Sequence, residues 1–195
     1  CEARDSIAAV ADNEIFATYM RLFEKLPNML GFGDYLFVHG GIPRSDTFAE
    51  RYQNLASLND YDLRFQMMWS DPSEVDVVPL DLQKSSARFP FGKRQFQHFM
   101  GQVGSKVLIR GHEVVHEGFK TVYDDPAGKL LTVFSAGGRD NADLPAGSNY
   151  RNVSPKALTI RHRAGVSTIT PFEIDYRRFN DPEVNAFFKT ELGLR

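Results

Sequence analysis

Two short apolar runs, each reaching a histidine beside glycine, constrain this chain more than any other feature. The first is Phe37-Val38-His39-Gly40-Gly41, and the second is Val107-Leu108-Ile109-Arg110-Gly111-His112-Glu113. Each run is too short for a helix and almost wholly apolar, the pattern of a strand buried on both faces. Strands that end this way place their imidazoles at strand ends, where a mixed α/β sheet carries its chemistry. The glycines allow a sharp turn and a close backbone approach. A neutral imidazole at either position can bind a metal. The residues alone leave a blander alternative for each: His39 as a strand-end residue before a tight turn, and His112 as a buried histidine bonded to a backbone carbonyl.

The rest of the chain reads as a mixture of helices and strands. Asp12-Asn13 caps a helix over 14–26, where Ile15, Tyr19, Leu22, Phe23 and Leu26 recur at helical spacing and Pro27 stops it. The run 34–39 is a buried strand, 60–68 a helix, and 92–103 a helix with Phe96, Phe99 and Met100 on one side. Between these helices, 70–90 reads as a loop because of Pro72, Pro79, Pro90 and mixed charge. Strands are expected over 106–109, 118–123, 130–134, 157–161 and 166–174, with Gly137-Gly138 and 149–151 in loops. A last short helix is expected from Asp181-Pro182 to near Leu192-Gly193. There is no internal repeat, low-complexity tract or interior linker, so the 195 residues make one domain or one large piece of a domain.

Composition removes several functional classes. Apolar residues are 42 % of the chain and include sixteen Phe, enough for a globular core. With 23 basic and 25 acidic residues, the net charge of -2 argues against a general nucleic-acid binder. Cys1 is the single cysteine, so neither an internal disulfide nor a cysteine-rich zinc site can form, which suits a cytoplasmic protein. No apolar run approaches the roughly 18 to 20 residues that span a bilayer, so no membrane partner is expected. The first twenty residues are charged and read as an amphipathic helix rather than a signal peptide. The chain begins with Cys1 rather than Met.

His112-Glu113-Val114-Val115-His116 matches the H-E-x-x-H zinc-protease pattern. That chemistry needs a helix that puts both histidines on one face. Here the motif follows a strand, lies between Gly111 and Gly118 and contains Val-Val, so it is a decoy. A third stretch is Trp69-Ser70-Asp71-Pro72, followed by Ser86-Ala87-Arg88-Phe89-Pro90-Phe91-Gly92. Arg88 precedes a helix start, and its guanidinium suits phosphate oxygens. A solvated surface loop is the other reading.

In order, V-H-G-G-I, W-S-D-P, F-x-F-G, R-G-H-E and L-T-V-F-S-A resemble the second half of the phosphoprotein phosphatase family, within the calcineurin-like metallophosphoesterases. The resemblance runs from about Leu26 to about Ala136, and S-x-R-F-P-F-G looks more like bacterial members. It implies an α/β fold, a four-layer metallophosphoesterase β-sandwich with flanking helices, of which 1–195 is the C-terminal portion of a single domain. It also implies two divalent metal ions (Mn, Fe or Zn) and hydrolysis of phosphate monoesters, with phosphoserine or phosphothreonine in proteins as the expected substrate, by a two-metal-activated water.

Carried over, His39 and His112 are ligands of one metal, Arg88 binds the phosphate, and Trp69 to Pro72 shape the adjoining wall. Arg88 lies about three residues later than the usual family arginine. Gly137-Gly138-Arg139 replaces the usual P-N-Y, which moves the loop aromatic, with Tyr150 as its candidate. The early motifs G-D-x-H-G, G-D-x-V-D-R-G and G-N-H-E are absent from the sequence, and with them the remaining ligands and the histidine that protonates the leaving group; all are expected upstream of Cys1. The isolated chain is therefore expected to be inactive. Two alternatives remain: a catalytically inactive binding module, and a phosphoesterase for dinucleoside polyphosphates or other small phosphates.

Overall fold

The structure is a computed structural model that describes residues 13–142 and 144–179. The expected cap at Asp12 and the helix from Asp181 lie outside the described residues.

Helix α1 (Asn13–Lys25) is followed by an antiparallel hairpin, β1 (Met29–Phe32) and β2 (Tyr35–Val38). β2 lies within the strand expected over 34–39, whereas β1 has no counterpart among the expected strands. Its central Gly31 and the preceding Pro27-Asn28 hide an edge strand. Its partnership is set by the two-residue Gly33-Asp34 loop, with Gly33 at φ 56°, the left-handed start that tight hairpins favour. Next come α2 (Ser45–Arg51), a 3₁₀ turn (Leu55–Asn59), α3 (Tyr61–Trp69) and β3 (Ser70–Pro72). Then follow α4 (Leu80–Lys84), β4 (Phe89–Phe91), α5 (Lys93–Val103), β5 (Val107–Arg110), β6 (Phe119–Asp125) and β7 (Gly128–Val133). A 3₁₀ turn (Asn149–Asn152), the hairpin β8 (Lys156–Arg163) and β9 (Val166–Glu173), and α6 (Tyr176–Phe179) complete the described chain.

The stretch 70–90 is not a loop throughout. It contains α4, and β3 pairs in parallel with β4. Pro90 is compatible with this two-stranded ribbon because it points outward while Phe89 and Phe91 are buried.

The main sheet has five strands in the order β1-β2-β5-β7-β6, with β2, β5 and β7 parallel at its centre. Alternation along these strands makes two cores. Leu36, Leu108 and Leu130 face the helices, where they pack with Phe48, Leu63, Met67, Phe96, Phe99 and Met100. Tyr35, Ile109 and Leu131 face the other way and are covered by Leu158, Ile160 and Ile169 of the β8–β9 hairpin. Each fully buried Phe or Leu contributes about 1.5–3 kcal/mol. The described residues thus form three layers, helices on sheet on hairpin, as an α/β sandwich requires. Because β2 and β5 are parallel neighbours with Val38 opposite Arg110, the chain leaves both strands at the same sheet edge.

Candidate metal centre

Both strand-end histidines reach that edge and meet. His39 Nε2 lies 2.9 Å from His112 Nδ1, with the rings nearly edge-on at 73° and centroids 4.8 Å apart. Trp69 stands across from His112 at 5.8 Å and 89°.

The backbone explains this convergence. Gly40 and Gly41 are needed for close approach, not for unusual dihedrals. A Cβ on Gly40 would lie 2.6 Å from the Met67 carbonyl oxygen, and one on Gly41 would lie 2.5 Å from the Phe91 ring. The Gly41 amide donates to that Met67 carbonyl at 2.8 Å, pinning the turn after His39 to the end of α3. On the second strand, His112 has φ 68°, a conformation that costs a non-glycine residue about 1–3 kcal/mol. The Glu113 amide donates to the Gly111 carbonyl at 2.8 Å across it. That pairing makes His112 the apex of a tight γ-type turn. Residues 112–116 form no helix, so the H-E-x-x-H pattern has no helical face on which to bind zinc. His116 instead offers its carbonyl to the Ser154 amide at 2.8 Å.

Beside the histidines lies a ring of alternating charges. Arg110, 1 % exposed, donates through Nε to the Gly40 carbonyl. It also donates through Nη2 to Asp71 Oδ1 at 2.6 Å and through Nη1 to Glu113 Oε2 at 2.5 Å. Arg88 donates through Nε to Asp71 Oδ2 at 2.5 Å and lies 3.9 Å from Glu113 Oε1. Asp71 therefore bridges a buried arginine and an exposed one. The Asp71 bond holds the Arg88 guanidinium above its ordinary pKa, with desolvation opposing it.

The donor set fits a metal ion in three respects. His39 Nε2 and His112 Nδ1, 2.9 Å apart and within hydrogen-bond distance of each other, are close enough to reach one ion together. Burial pushes the His112 pKa down, the positive charge around His39, Arg110 and Arg88 pushes it the same way, and Asp71 only partly opposes. His112 is thus held in the neutral form a metal requires. Its other nitrogen, Nε2, is buried without a hydrogen-bond partner and faces Asp71 Oδ1 at 4.0 Å. A carboxylate behind a ligating imidazole is the usual support for such a ligand. Two nitrogens do not complete a centre, and among the described residues no group of three or more His, Cys, Asp or Glu gathers to hold a metal.

A sheet with helices on one face and a hairpin on the other makes an α/β sandwich, with two histidines meeting at the ends of adjacent parallel strands. The structure of a Saccharomyces cerevisiae serine/threonine phosphatase similar to human phosphatase PP5 has this fold, with a TM-score of 0.58 at 23 % identity over 87 % of this chain and 54 % of that one. In sequence the chain is similar to serine/threonine-protein phosphatases. It is 24 % identical to a probable enzyme of Encephalitozoon cuniculi over 89 % of this chain and 38 % of the relative. It is 29 % identical to the phosphatase 4 catalytic subunit of S. cerevisiae over 70 % and 38 %, and 32 % identical to the phosphatase 6 catalytic subunit of Caenorhabditis elegans over 60 % and 36 %. No family model matches. The chain spans well under half the length of these curated relatives. They are eukaryotic and give no support to the bacterial-type form expected from S-x-R-F-P-F-G.

Sequence reasoning singled out His39, His112 and Arg88 but missed the ring that surrounds them. Asp71 was legible only as part of a wall, Glu113 only within a rejected protease pattern, and Arg110 only within the second strand-like run. The available signal was a charged residue ending an apolar strand, which must find partners if it is buried. Tyr150, the candidate loop aromatic, packs against Phe134 at 5.5 Å and accepts the Gly138 amide on its carbonyl at 3.2 Å. Among the described residues no helix is long and apolar enough to cross a membrane.

Proposed function

We propose that residues 1–195 are the C-terminal portion of a single metallophosphoesterase domain that hydrolyses phosphate monoesters, with phosphoserine and phosphothreonine in proteins as substrates. The observation that carries this reading is the 2.9 Å approach of His39 Nε2 to His112 Nδ1. In it, His39 and His112 are two ligands of one ion of a manganese, iron or zinc pair. When bound, such a pair supplies a low-pKa water and charge neutralisation at the phosphoryl group.

The chain's own residues act around that centre. Trp69 walls one side and limits the approach of solvent to His112. Asp71 faces the Nε2–H of His112 and favours the tautomer that frees Nδ1. Arg88, anchored by one nitrogen to Asp71, keeps guanidinium N–H groups for phosphate oxygens, and its positive charge opposes the charge that builds up there. The remaining ligands and the leaving-group acid come from outside these residues, so the chain alone binds metal weakly and does not turn over.

The test is manganese-dependent release of phosphate from a phosphoserine peptide by a polypeptide that carries this chain and a full ligand set. His39→Ala and His112→Ala are each expected to lower turnover by orders of magnitude. A dinucleoside polyphosphate is run beside the peptide. A phosphopeptide rate no better than that on a simple aryl phosphate contradicts the protein-phosphatase reading.

A further inference from the structure

We infer that Arg110 and Glu113 form a clasp that holds His112 in register with His39, so that both are positioning residues for the metal pair; this rests on the metal reading above. The geometry is specific. Residues 110–113 are the end of β5 and the tight turn that follows it, with His112 at the apex and φ 68°. The Arg110 and Glu113 side chains bond each other at 2.5 Å across that apex. Opening the turn would relieve the strained backbone at His112, and the ion pair opposes opening because its two partners flank the strained residue.

The same guanidinium reaches the other histidine. Arg110 Nε takes the carbonyl of Gly40, the residue after His39, while the Gly111 amide takes the carbonyl of His39 itself at 3.1 Å. One buried side chain thus ties the backbone after His39 to the carboxylate after His112. A planar guanidinium can serve Gly40, Glu113 and Asp71 together because its donors diverge in one plane; an ammonium at that position cannot. Glu113 is over a third exposed, so a change there tests the clasp without opening the core. In this reading neither residue is a ligand; each acts through the placement of His112 Nδ1.

The experiment measures Co²⁺ affinity by its visible absorption, and amide hydrogen exchange without metal. It uses a polypeptide that carries this chain and a full ligand set, and compares it with its Glu113→Gln, Arg110→Lys and His112→Ala variants and with the remote surface variant Lys106→Ala. Supporting groups of this kind alter metal affinity by about 10–100-fold. Glu113→Gln is expected to weaken Co²⁺ within that range and to speed exchange of the Glu113 amide at least tenfold, with the Leu108 amide unchanged. Arg110→Lys should do the same without matching wild type, and Lys106→Ala should change neither. If His112→Ala abolishes binding while Glu113→Gln and Arg110→Lys, both folded, bind as wild type does, the clasp is refuted and the metal reading stands. If His112→Ala binds like wild type, or the polypeptide with the full ligand set does not bind, the metal reading falls and takes the clasp's role with it.

Discussion

Asp71 makes two ion pairs of nearly the same length, and burial predicts that they differ greatly in energy. Its carboxylate is 2.6 Å from Arg110 and 2.5 Å from Arg88, yet the Arg110 side chain is 0 % exposed and that of Arg88 54 % exposed. Removing one partner of a buried pair costs about 3–5 kcal/mol, because the other charge is left in low dielectric. Arg110 keeps Glu113 and the Gly40 carbonyl, so the lower end of that range applies to Asp71→Ala, about 3 kcal/mol. An exposed pair contributes about 0–1 kcal/mol. Double-mutant cycles read by urea unfolding separate the two. The Asp71→Ala/Arg110→Met cycle should give a coupling of about 2–3 kcal/mol and Asp71→Ala/Arg88→Met below about 1 kcal/mol. The m-value should be unchanged. An Arg88 coupling equal to or larger than the Arg110 coupling would refute the argument, since distance alone would then set the energy.

Other outcomes follow from single contacts. Gly40→Ala forces a Cβ to within 2.6 Å of the Met67 carbonyl and 2.7 Å of the Met68 carbonyl; as both are backbone atoms, the change should destabilise by about 1–3 kcal/mol or more in a urea melt. His116→Ala should leave Co²⁺ affinity within twofold of wild type while His112→Ala abolishes it; equal damage would revive the H-E-x-x-H reading. Burial pushes the Tyr123 hydroxyl up to about 12. A raised pKa in the fold means that this stability is fully present below pH 10 and lost as pH rises towards 12, at up to about 1.4 kcal/mol per pH unit. The stability gap between wild type and Tyr123→Phe should therefore close across that window, and a gap that stays constant would contradict it.

The legible parts of the fold were those with a strong local period. Tyr35 to Val38 and Val107 to Ile109 are apolar throughout because both faces are covered, and Phe96, Phe99 and Met100 mark the buried side of α5. The illegible parts depend on partners far away in sequence. β1 has a weak pattern because it is an edge strand paired only with β2, and β3 and β4 are three-residue segments containing proline that exist only through each other. The site divides in the same way. Histidines beside glycines at strand ends carry a local signal. The Asp71–Arg110–Glu113 arrangement joins residues 39 positions apart and becomes visible only when the sheet brings Gly40 and Arg110 side by side.

The central claim concerns two particular nitrogens, and ¹H–¹⁵N imidazole spectra during Zn²⁺ titration observe them separately. The account predicts that Nε2 of His39 and Nδ1 of His112 move together to metal-bound shifts, while the ring nitrogens of His98, His116 and His162 stay where they were. Zinc-dependent shifts at His116, or at the opposite nitrogens of His39 and His112, would contradict it.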